Sequence, residues 1–247
     1  MQEVIHQFFD VGFMAEHFDE VLEGFWLTIQ LWIVAAVLSL LWGLILALLR
    51  QLPGRGFLPL RFATIAYIDV FRAVPLLILI LLIATGIPSL EFLPKSLRIP
   101  EWFGKPDPFW YGTLALTITY GAYMAEVYRA GIEAVPQGQM EAARSLGMGH
   151  GKAMRHVIVP QAVGKVFAPM LNELIALMKD TTLVSVIALN EVVLVGQDIQ
   201  SETFISSALT LGALMFIVVI LPMARLTDRL IARNQGRIAR GSHIEVA

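Results

Sequence analysis

Long uncharged stretches of apolar residues alternate with shorter polar segments along this chain. Residues 24–49 and 203–224 contain no charged residue at all. An α-helix needs about 20 apolar residues to cross the hydrocarbon core of a bilayer. Three further stretches reach that length when their less apolar flanks are included. The pattern therefore predicts five membrane-spanning helices, at about residues 24–49, 62–88, 108–134, 163–187 and 203–226.

The distribution of Lys and Arg between these stretches predicts how the chain is oriented. Basic residues in short connections favour the cytoplasmic side. They follow the first, third and fifth predicted spans, whereas residues 1–23 contain none, residues 89–107 carry charges of both signs, and residues 188–202 carry only acidic charges. The predicted fold class is therefore all-α and transmembrane, with the N-terminus outside and the C-terminus in the cytoplasm. Its parts are an extracytoplasmic N-terminal segment (1–23), a transmembrane domain (24–232) and a cytoplasmic tail (233–247).

Composition supports a membrane protein and excludes several function classes. Hydrophobic residues make up 57% and charged residues 15% of the 247 residues, whereas charged residues make up about 25% of a typical soluble domain. The net charge of −2 gives no global basic surface for nucleic acid. The sequence contains no cysteine, which excludes disulfides, thiol catalysis and cysteine-based zinc sites.

One polar segment, residues 136–160, separates the third and fourth predicted spans. It contains strong helix formers between Pro136 and Gly147, which predicts a short helix over about residues 137–146. A second helical stretch is predicted over about residues 152–159, with Pro160 starting the next span. A short helix on the cytoplasmic face is either a docking element for the groove of another protein or a connector lying on the membrane.

The residues of this segment resemble a known motif. Glu141, Ala142, Ala143 and Gly147, followed by Ile-Val-Pro at 158–160, resemble the EAA loop of permease subunits in binding-protein-dependent ABC importers. We call residues 136–160 the EAA segment. The resemblance extends to most of residues 24–232, and two stretches resemble the polar amino acid branch, which takes up solutes such as histidine, glutamine, arginine and opines. Residues 69–78 resemble the start of the family's second span, and residues 121–148 and 172–187 are the two stretches that resemble the polar amino acid branch.

The resemblance implies a five-helix type I ABC importer permease fold in the bacterial inner membrane, with several passes. In that family the EAA helix couples the permease to a separate ATPase, so Glu141, Ala142, Ala143 and Gly147 are the expected coupling residues. The implied partners are an ATPase dimer, a second identical or related permease, an extracytoplasmic substrate-binding protein and membrane lipid, without nucleic acid. Gly-His-Gly at 149–151 departs from the family, which often has a bulky residue there.

The chain lacks the residues needed to hydrolyse ATP. A phosphate-binding loop around Lys152 would require glycine at position 146 and a hydroxyl residue at 153, where the sequence has Leu146 and Ala153. His150 and His156 are six residues apart, which does not suit a metal pair on a helix. We therefore expect no catalytic residue, metal site or cofactor in this chain, and expect the partner ATPase to bind ATP and Mg²⁺.

Charged residues within the predicted spans are candidates for a substrate pathway. A charge at the bilayer centre costs about 2.5 to 3.5 kcal/mol on the insertion scale, so each one requires a reason. Asp69 with Arg72, and Glu126 with Arg129, are three residues apart and can form ion pairs that hold helices together. The alternative role is to contact a polar solute. The candidate pathway or gate residues are Arg72, Glu126, Glu173, Lys179, Asp180 and Thr181.

The leading hypothesis is a transmembrane permease subunit of an ATP-driven importer for polar or charged amino acids or their derivatives. One alternative is a secondary carrier that uses Glu126 or Asp180 as a proton site. The carrier hypothesis leaves the EAA segment unexplained. Another alternative is a membrane scaffold that does not transport, but the charges within the spans argue against it.

Overall fold

The computed structural model describes residues 2–52 and 54–242, and the side chains of residues 3–52 and 54–232. Every regular element in that part of the chain is helical, which confirms the predicted all-α class. Of the predicted tail (233–247), residues 243–247 lie outside the described residues. The α-helices are α1 Gln2–Phe8, α2 Val11–Glu16, α3 Phe18–Arg50, α4 Leu58–Ala73, α5 Leu76–Gly86, α6 Lys95–Arg98, α7 Asp107–Glu133, α8 Gln137–Ser145, α9 His150–Ala153, α10 Val159–Asp180, α11 Val192–Thr203 and α12 Ser207–Ser242.

The first and last long helices extend beyond the apolar stretches that predict them. α3 begins at Phe18, before the first predicted span, and Asp19 and Glu20 lie in its first turn. Acidic side chains at a helix N-terminus interact favourably with the helix dipole, so the helix can start in a polar segment. α12 continues to Ser242, well past residue 226. A helix therefore ends where its backbone bonding ends, whereas a span ends where the apolar residues end.

The second predicted span is sharply bent at Pro75. The helical segments Arg55–Ala73 and Leu76–Ser89 meet at 106°. Val74 has an extended backbone, with ψ of 127°, because a residue before proline is disfavoured in the helical conformation. The predicted stretch 62–88 is thus two helices, α4 and α5.

Two described helical segments, Phe18–Arg50 and Ser207–Ala232, are long and apolar enough to cross a membrane. The number rises to four if each of two bent helix pairs forms one span. α7 covers the third predicted span but carries charged residues such as Glu126, Arg129 and Glu133 toward its C-terminal end. The count of five spans and the orientation of the termini stay predictions.

α3 and α7 form the centre of the fold and approach each other closely at glycines. A Cβ atom on Gly43 would lie 2.5 Å from Met124 Cβ, and one on Gly121 would lie 2.4 Å from Trp42 Cδ1. Small residues allow two membrane helices to pack with little space between their backbones. The surrounding core brings in side chains of α5 and α10, including Ile80. This central pair positions the C-terminal half of α7, which carries the candidate site.

The fourth predicted span ends in a change of helix type. α10 is followed by a tight 3-10 segment, Thr181–Ile187, and the chain then turns at Ala188, whose φ is +61°. α11 follows at an angle of 51° to the preceding helical segment. The buried Glu191 side chain caps α11 by accepting hydrogen bonds from Val193 N at 2.8 Å and Leu194 N at 3.0 Å.

Candidate functional site

The EAA segment forms a short helix that ends in a glycine turn, as the sequence predicts. α8 follows Pro136 and ends at Ser145, with Leu146 as its C-cap residue. Gly147 has φ of +81°, a left-handed conformation that glycine adopts without strain. Its amide donates to Arg144 O at 2.9 Å, and the Met148 amide donates to Ala143 O at 3.1 Å. These two bonds form a Schellman motif that satisfies the last carbonyl groups of the helix.

α8 has one face turned toward the protein and one face exposed. Ala143 is buried, and Met140 packs on the buried residues Val135 and Ile158. The exposed side carries Glu141, Ala142 and Leu146. The Leu146 side chain is 80% exposed. This exposed side leaves α8 and its C-cap residue accessible to the groove of another protein.

Leu146 is a candidate functional residue that the sequence analysis missed. From the sequence, Leu146 is notable only as a helix former and as the residue at a position where a phosphate-binding loop would have glycine. The signal was its place directly before Gly147, at the end of an otherwise polar helix. Its exposure beside the EAA motif makes Leu146 a candidate contact residue for a partner protein.

The second half of the EAA segment differs from the prediction. α9 comprises His150–Ala153, a wider π-helical turn follows over Met154–Ile158, and α10 continues directly from Val159. Pro160 therefore lies inside the first turn of a continuing helix and does not mark a fresh start. Proline is tolerated there because it lies in the first turn of α10, directly after the wider π-helical turn.

α7 and α10, the two helices that flank the EAA segment, are held together beside it. A Cβ atom on Gly131 of α7 would lie only 2.1 Å from Val166 Cγ2 of α10. Lys165 Nζ donates to Ala134 O at 2.7 Å. Gln161 of α10 donates to the Gln139 side chain of α8 at 3.3 Å. The EAA segment and the two helices that flank it thus form one packed unit.

A cavity of about 460 Å³ lies between α7 and α10, on the same side as Gly131 and Lys165. We call it the charged cavity. It brings together three of the six predicted pathway residues, Arg72, Glu126 and Glu173. Tyr123 and Lys165 also line it, although sequence reasoning did not select them for the pathway. The Arg72 guanidinium lies 5.5 Å from the centre of the Tyr123 ring, close enough for a cation–π contact.

Glu126 belongs to an ion-pair network as well as to the cavity wall. Its carboxylate accepts hydrogen bonds from Arg50 of α3 and, at 2.6 Å, from Arg129 Nη2. Arg129 also bonds Glu133 at 2.5 Å. The predicted pairing of Glu126 with Arg129 is therefore present. Among the ion pairs of the described residues, none joins Asp69 to Arg72.

The other three predicted pathway residues lie elsewhere, where α10 gives way to the 3-10 segment. Asp180 accepts a hydrogen bond from Tyr120 Oη at 2.8 Å. Thr181 is buried and donates to Met178 O at 2.6 Å, while Lys179 is exposed. These residues do not line the charged cavity. Asp180 is seven residues, or about 10 Å, along the helix from Glu173. Their role as a gate stays a prediction.

No group of three or more His, Asp or Glu side chains within the described ranges is arranged to hold a metal ion. The candidate site thus consists of the exposed helix α8, the rest of the EAA segment and the charged cavity between α7 and α10.

Residues 39–236 match the protein family described as binding-protein-dependent transport system inner membrane component. The chain belongs to this family. It is a permease subunit of an ABC importer, which confirms the resemblance noted in the EAA segment.

Several curated permeases are similar to this chain over most of its length. A probable glutamine ABC transporter permease of Bacillus subtilis is 32% identical over 223 residues, which cover 87% of this chain and 93% of the relative. An arginine transport system permease of the same organism is 34% identical, covering 70% and 72%. An octopine transport system permease of Rhizobium radiobacter is 34% identical, covering 79% and 78%.

Solved structures support the same fold. An amino acid ABC transporter crystallised with histidines contains a chain that is 33% identical to this permease. The two superpose with a TM-score of 0.79, covering 91% of this permease and 98% of that chain. A methionine ABC transporter in an inward-facing conformation gives a TM-score of 0.71 at 16% identity, which is a likeness of fold alone. Permeases of this family work with a separate ATPase, a second permease and a substrate-binding protein.

Proposed function

We propose that this permease imports a polar or charged amino acid, or an amino-acid derivative, through the charged cavity. The observation that carries the proposal is that the cavity wall contains groups of both signs. Arg72 and Lys165 are cationic, and Glu173 is a carboxylate outside the Glu126 network. An amino acid carries an ammonium and a carboxylate group, so opposite charges in one cavity suit both ends. The curated relatives named for glutamine, arginine and octopine support this substrate class.

The positions of the cavity-lining residues support a direct route for coupling. α8 seats in a cleft of the ATPase, with Glu141, Ala142 and Leu146 toward the partner and Ala143 and Gly147 shaping the helix and its end. Closure of two ATPase subunits on ATP and Mg²⁺ moves α8. The flanking helices α7 and α10 supply most of the cavity wall, so movement of α8 repositions the groups that contact the solute. Such a rigid shift opens the cavity alternately to the two sides of the membrane.

The complete importer has two permeases of five spans each, two ATPase subunits and an extracytoplasmic binding protein. The permease spans the inner membrane several times, with the N-terminus outside and the C-terminus in the cytoplasm. Lys179, Asp180 and Thr181 act at a separate level of the pathway as a gate. The permease itself carries no catalytic residue, because ATP is hydrolysed by its partner.

Uptake into proteoliposomes that contain the permease with its ATPase and binding protein tests this proposal. We expect uptake to require ATP, and Glu141→Lys to abolish uptake while the permease still inserts in the membrane. Glu173→Gln should weaken uptake while leaving ATPase binding intact, which separates the cavity from the coupling helix. Uptake driven by a proton gradient without ATP would contradict the proposal. Undiminished ATP-dependent uptake by the Glu141→Lys permease would also contradict it.

A further inference from the structure

The connection between α5 and α7 is folded onto the membrane domain by specific hydrogen bonds. Tyr111 Oη donates to the Arg98 carbonyl group. Trp110 Nε1 donates to Trp102 O at 3.2 Å, and the two tryptophan rings lie 5.4 Å apart. The connection, residues 87–106, therefore covers the N-terminal turns of α7 on the predicted extracytoplasmic side.

An apolar groove of about 310 Å³ lies between this connection, α3 and α7. Its lower walls include Leu38 and Leu114, whose side chains are 40% and 39% exposed, so the groove is open on its outer side. Its upper wall includes Trp102 and Trp110. A water molecule occupies about 30 Å³ in the liquid, so the groove has space for about ten groups of the size of a water molecule. This shape and lining suit an alkyl chain.

The level of the groove places it at the membrane surface. Trp110 lies at the start of the third predicted span, and tryptophan is enriched where the bilayer meets water. Thr117, at the other end of the groove, is seven residues or about 10 Å deeper along α7. The groove thus extends from the interface into the hydrocarbon region, where lipid is the surrounding medium.

A second, polar cavity of about 360 Å³ adjoins the groove and shares Trp102 with it. It is lined by the polar residues Lys95, Ser96 and Glu101 and by the apolar side chains of Ile99 and Trp102. Both charged side chains are exposed, and neither takes part in an ion pair within the described part of the chain. A cation and an anion thus line the same cavity next to the apolar groove, and they form no ion pair with each other.

We propose that the groove and the polar cavity together bind one zwitterionic phospholipid of the ethanolamine class. One acyl chain lies in the groove beside Leu38 and Leu114. The phosphate group lies at Lys95 and Ser96, and the ammonium group donates a hydrogen bond to Glu101. Trp102 stands between the two parts, at the level of the glycerol backbone. The charges match this headgroup better than that of phosphatidylglycerol, which carries the phosphate charge alone, because Glu101 would then have no ammonium group to accept from.

Lipid retention by the assembled importer tests this proposal. The complex is purified from membranes of phosphatidylethanolamine and phosphatidylglycerol in equal amounts, and bound lipid is counted by mass spectrometry. We expect one phosphatidylethanolamine retained per permease. Lys95→Gln and Glu101→Gln should each lower the affinity about fivefold, since an exposed ion pair contributes up to about 1 kcal/mol. Glu91→Gln and Lys105→Gln change the same charges in the same connection outside both cavities, and should retain the lipid.

Three results would overturn the proposal. The first is equal or stronger retention of phosphatidylglycerol by the unaltered complex, which needs no variant to fold. The second is loss of lipid to the same extent in the control variants. The third is a structure of the assembled importer in which the second permease or the binding protein fills the groove.

Discussion

A methyl group added at Gly131 tests whether α7 and α10 act as one unit beside the EAA segment. The new Cβ atom would lie 2.1 Å from Val166 Cγ2, whereas real Cβ contacts essentially never fall below 3.0 Å. It would also lie 3.4 Å from the Ala162 carbonyl oxygen, which limits movement in that direction. Gly131→Ala must therefore push α7 and α10 apart, or force Val166 out of its rotamer.

The expected cost follows from two opposing effects. Overpacking a tight contact costs about 1 to 3 kcal/mol. Replacing glycine by alanine within a helix returns about 0.5 to 1 kcal/mol. We therefore expect Gly131→Ala to destabilise the permease by about 0 to 2.5 kcal/mol. In a Val166→Ala background the clashing methyl groups are absent, so the same substitution should become neutral or stabilising.

Two measurements check this pair of changes. Thermal unfolding of the purified permease should show a lower Tm for Gly131→Ala, and a Tm for the double variant at or above that of Val166→Ala alone. The number of solute molecules imported per ATP should fall in the single variant and recover in the double variant. Gly86→Ala is the matched control, because nothing lies within 4 Å of its added methyl group.

An unchanged Tm and an unchanged transport ratio in Gly131→Ala would refute the close packing of α7 on α10. A loss that Val166→Ala fails to rescue would refute the specific contact, even if the variant were unstable. The comparison within the Val166→Ala background also removes the general effect of making Val166 smaller.

The remaining predictions concern the ion-pair network, the glycine turn and a buried carboxylate. Glu126→Gln leaves Arg50 and Arg129 without their shared anion, so we expect the free energy of unfolding to fall by about 1 to 3 kcal/mol. Glu133→Gln should lower it by less than about 0.5 kcal/mol, because Glu133 is exposed. The Tm values of the two variants check this difference. Gly147→Ala forces a left-handed alanine and should weaken ATPase binding in a pull-down titration, whereas Gly149→Ala, which has no positive φ and open space around it, should not. Burial raises the pKa of Glu191, in the connection before α11, to about 7, although Leu194 N, Val193 N and Thr28 lower it. The folded permease then holds this proton more tightly than the unfolded chain, so this contribution to stability falls as pH rises from about 4.5 to 7. The Tm of the unaltered permease relative to Glu191→Gln should accordingly be lower at about pH 8 than at about pH 5, and no change in that difference would contradict the assignment.

The features that the sequence predicts well depend on neighbouring residues. An uncharged stretch such as residues 24–49 requires a long helix in lipid, and α3 contains all of it. Pro136 and Gly147 delimit α8 because each restricts its own backbone, so its helical bounds differ from the predicted 137–146 by only one residue. The break at Pro75 also follows from local chemistry, since proline restricts the backbone of Val74, although the angle of 106° does not.

The charged cavity could be predicted only in part because its residues come from three helices. Arg72, Glu126 and Glu173 are conspicuous as charges within predicted spans, and packing brings them together. Lys165 lies near the start of the fourth predicted span but is not among the six predicted pathway residues. Lys179 and Asp180 were equally conspicuous, yet they lie farther along α10 and do not line the cavity. Sequence identifies unusual charges, whereas helix rotation and packing decide which of them share a cavity.

The central claim, that α8 transmits ATPase closure to the transport pathway, is tested most directly by a thiol at Ala142. The chain has no cysteine, so Ala142→Cys is unique, and this position is exposed on α8. A membrane-impermeant thiol reagent should label it in inside-out vesicles, and bound ATPase should protect it. Glu91→Cys, in the connection between α5 and α7, should be labelled from the other side with or without the ATPase. Labelling of Ala142→Cys from the extracytoplasmic side, or labelling that the ATPase leaves unchanged, would contradict the account.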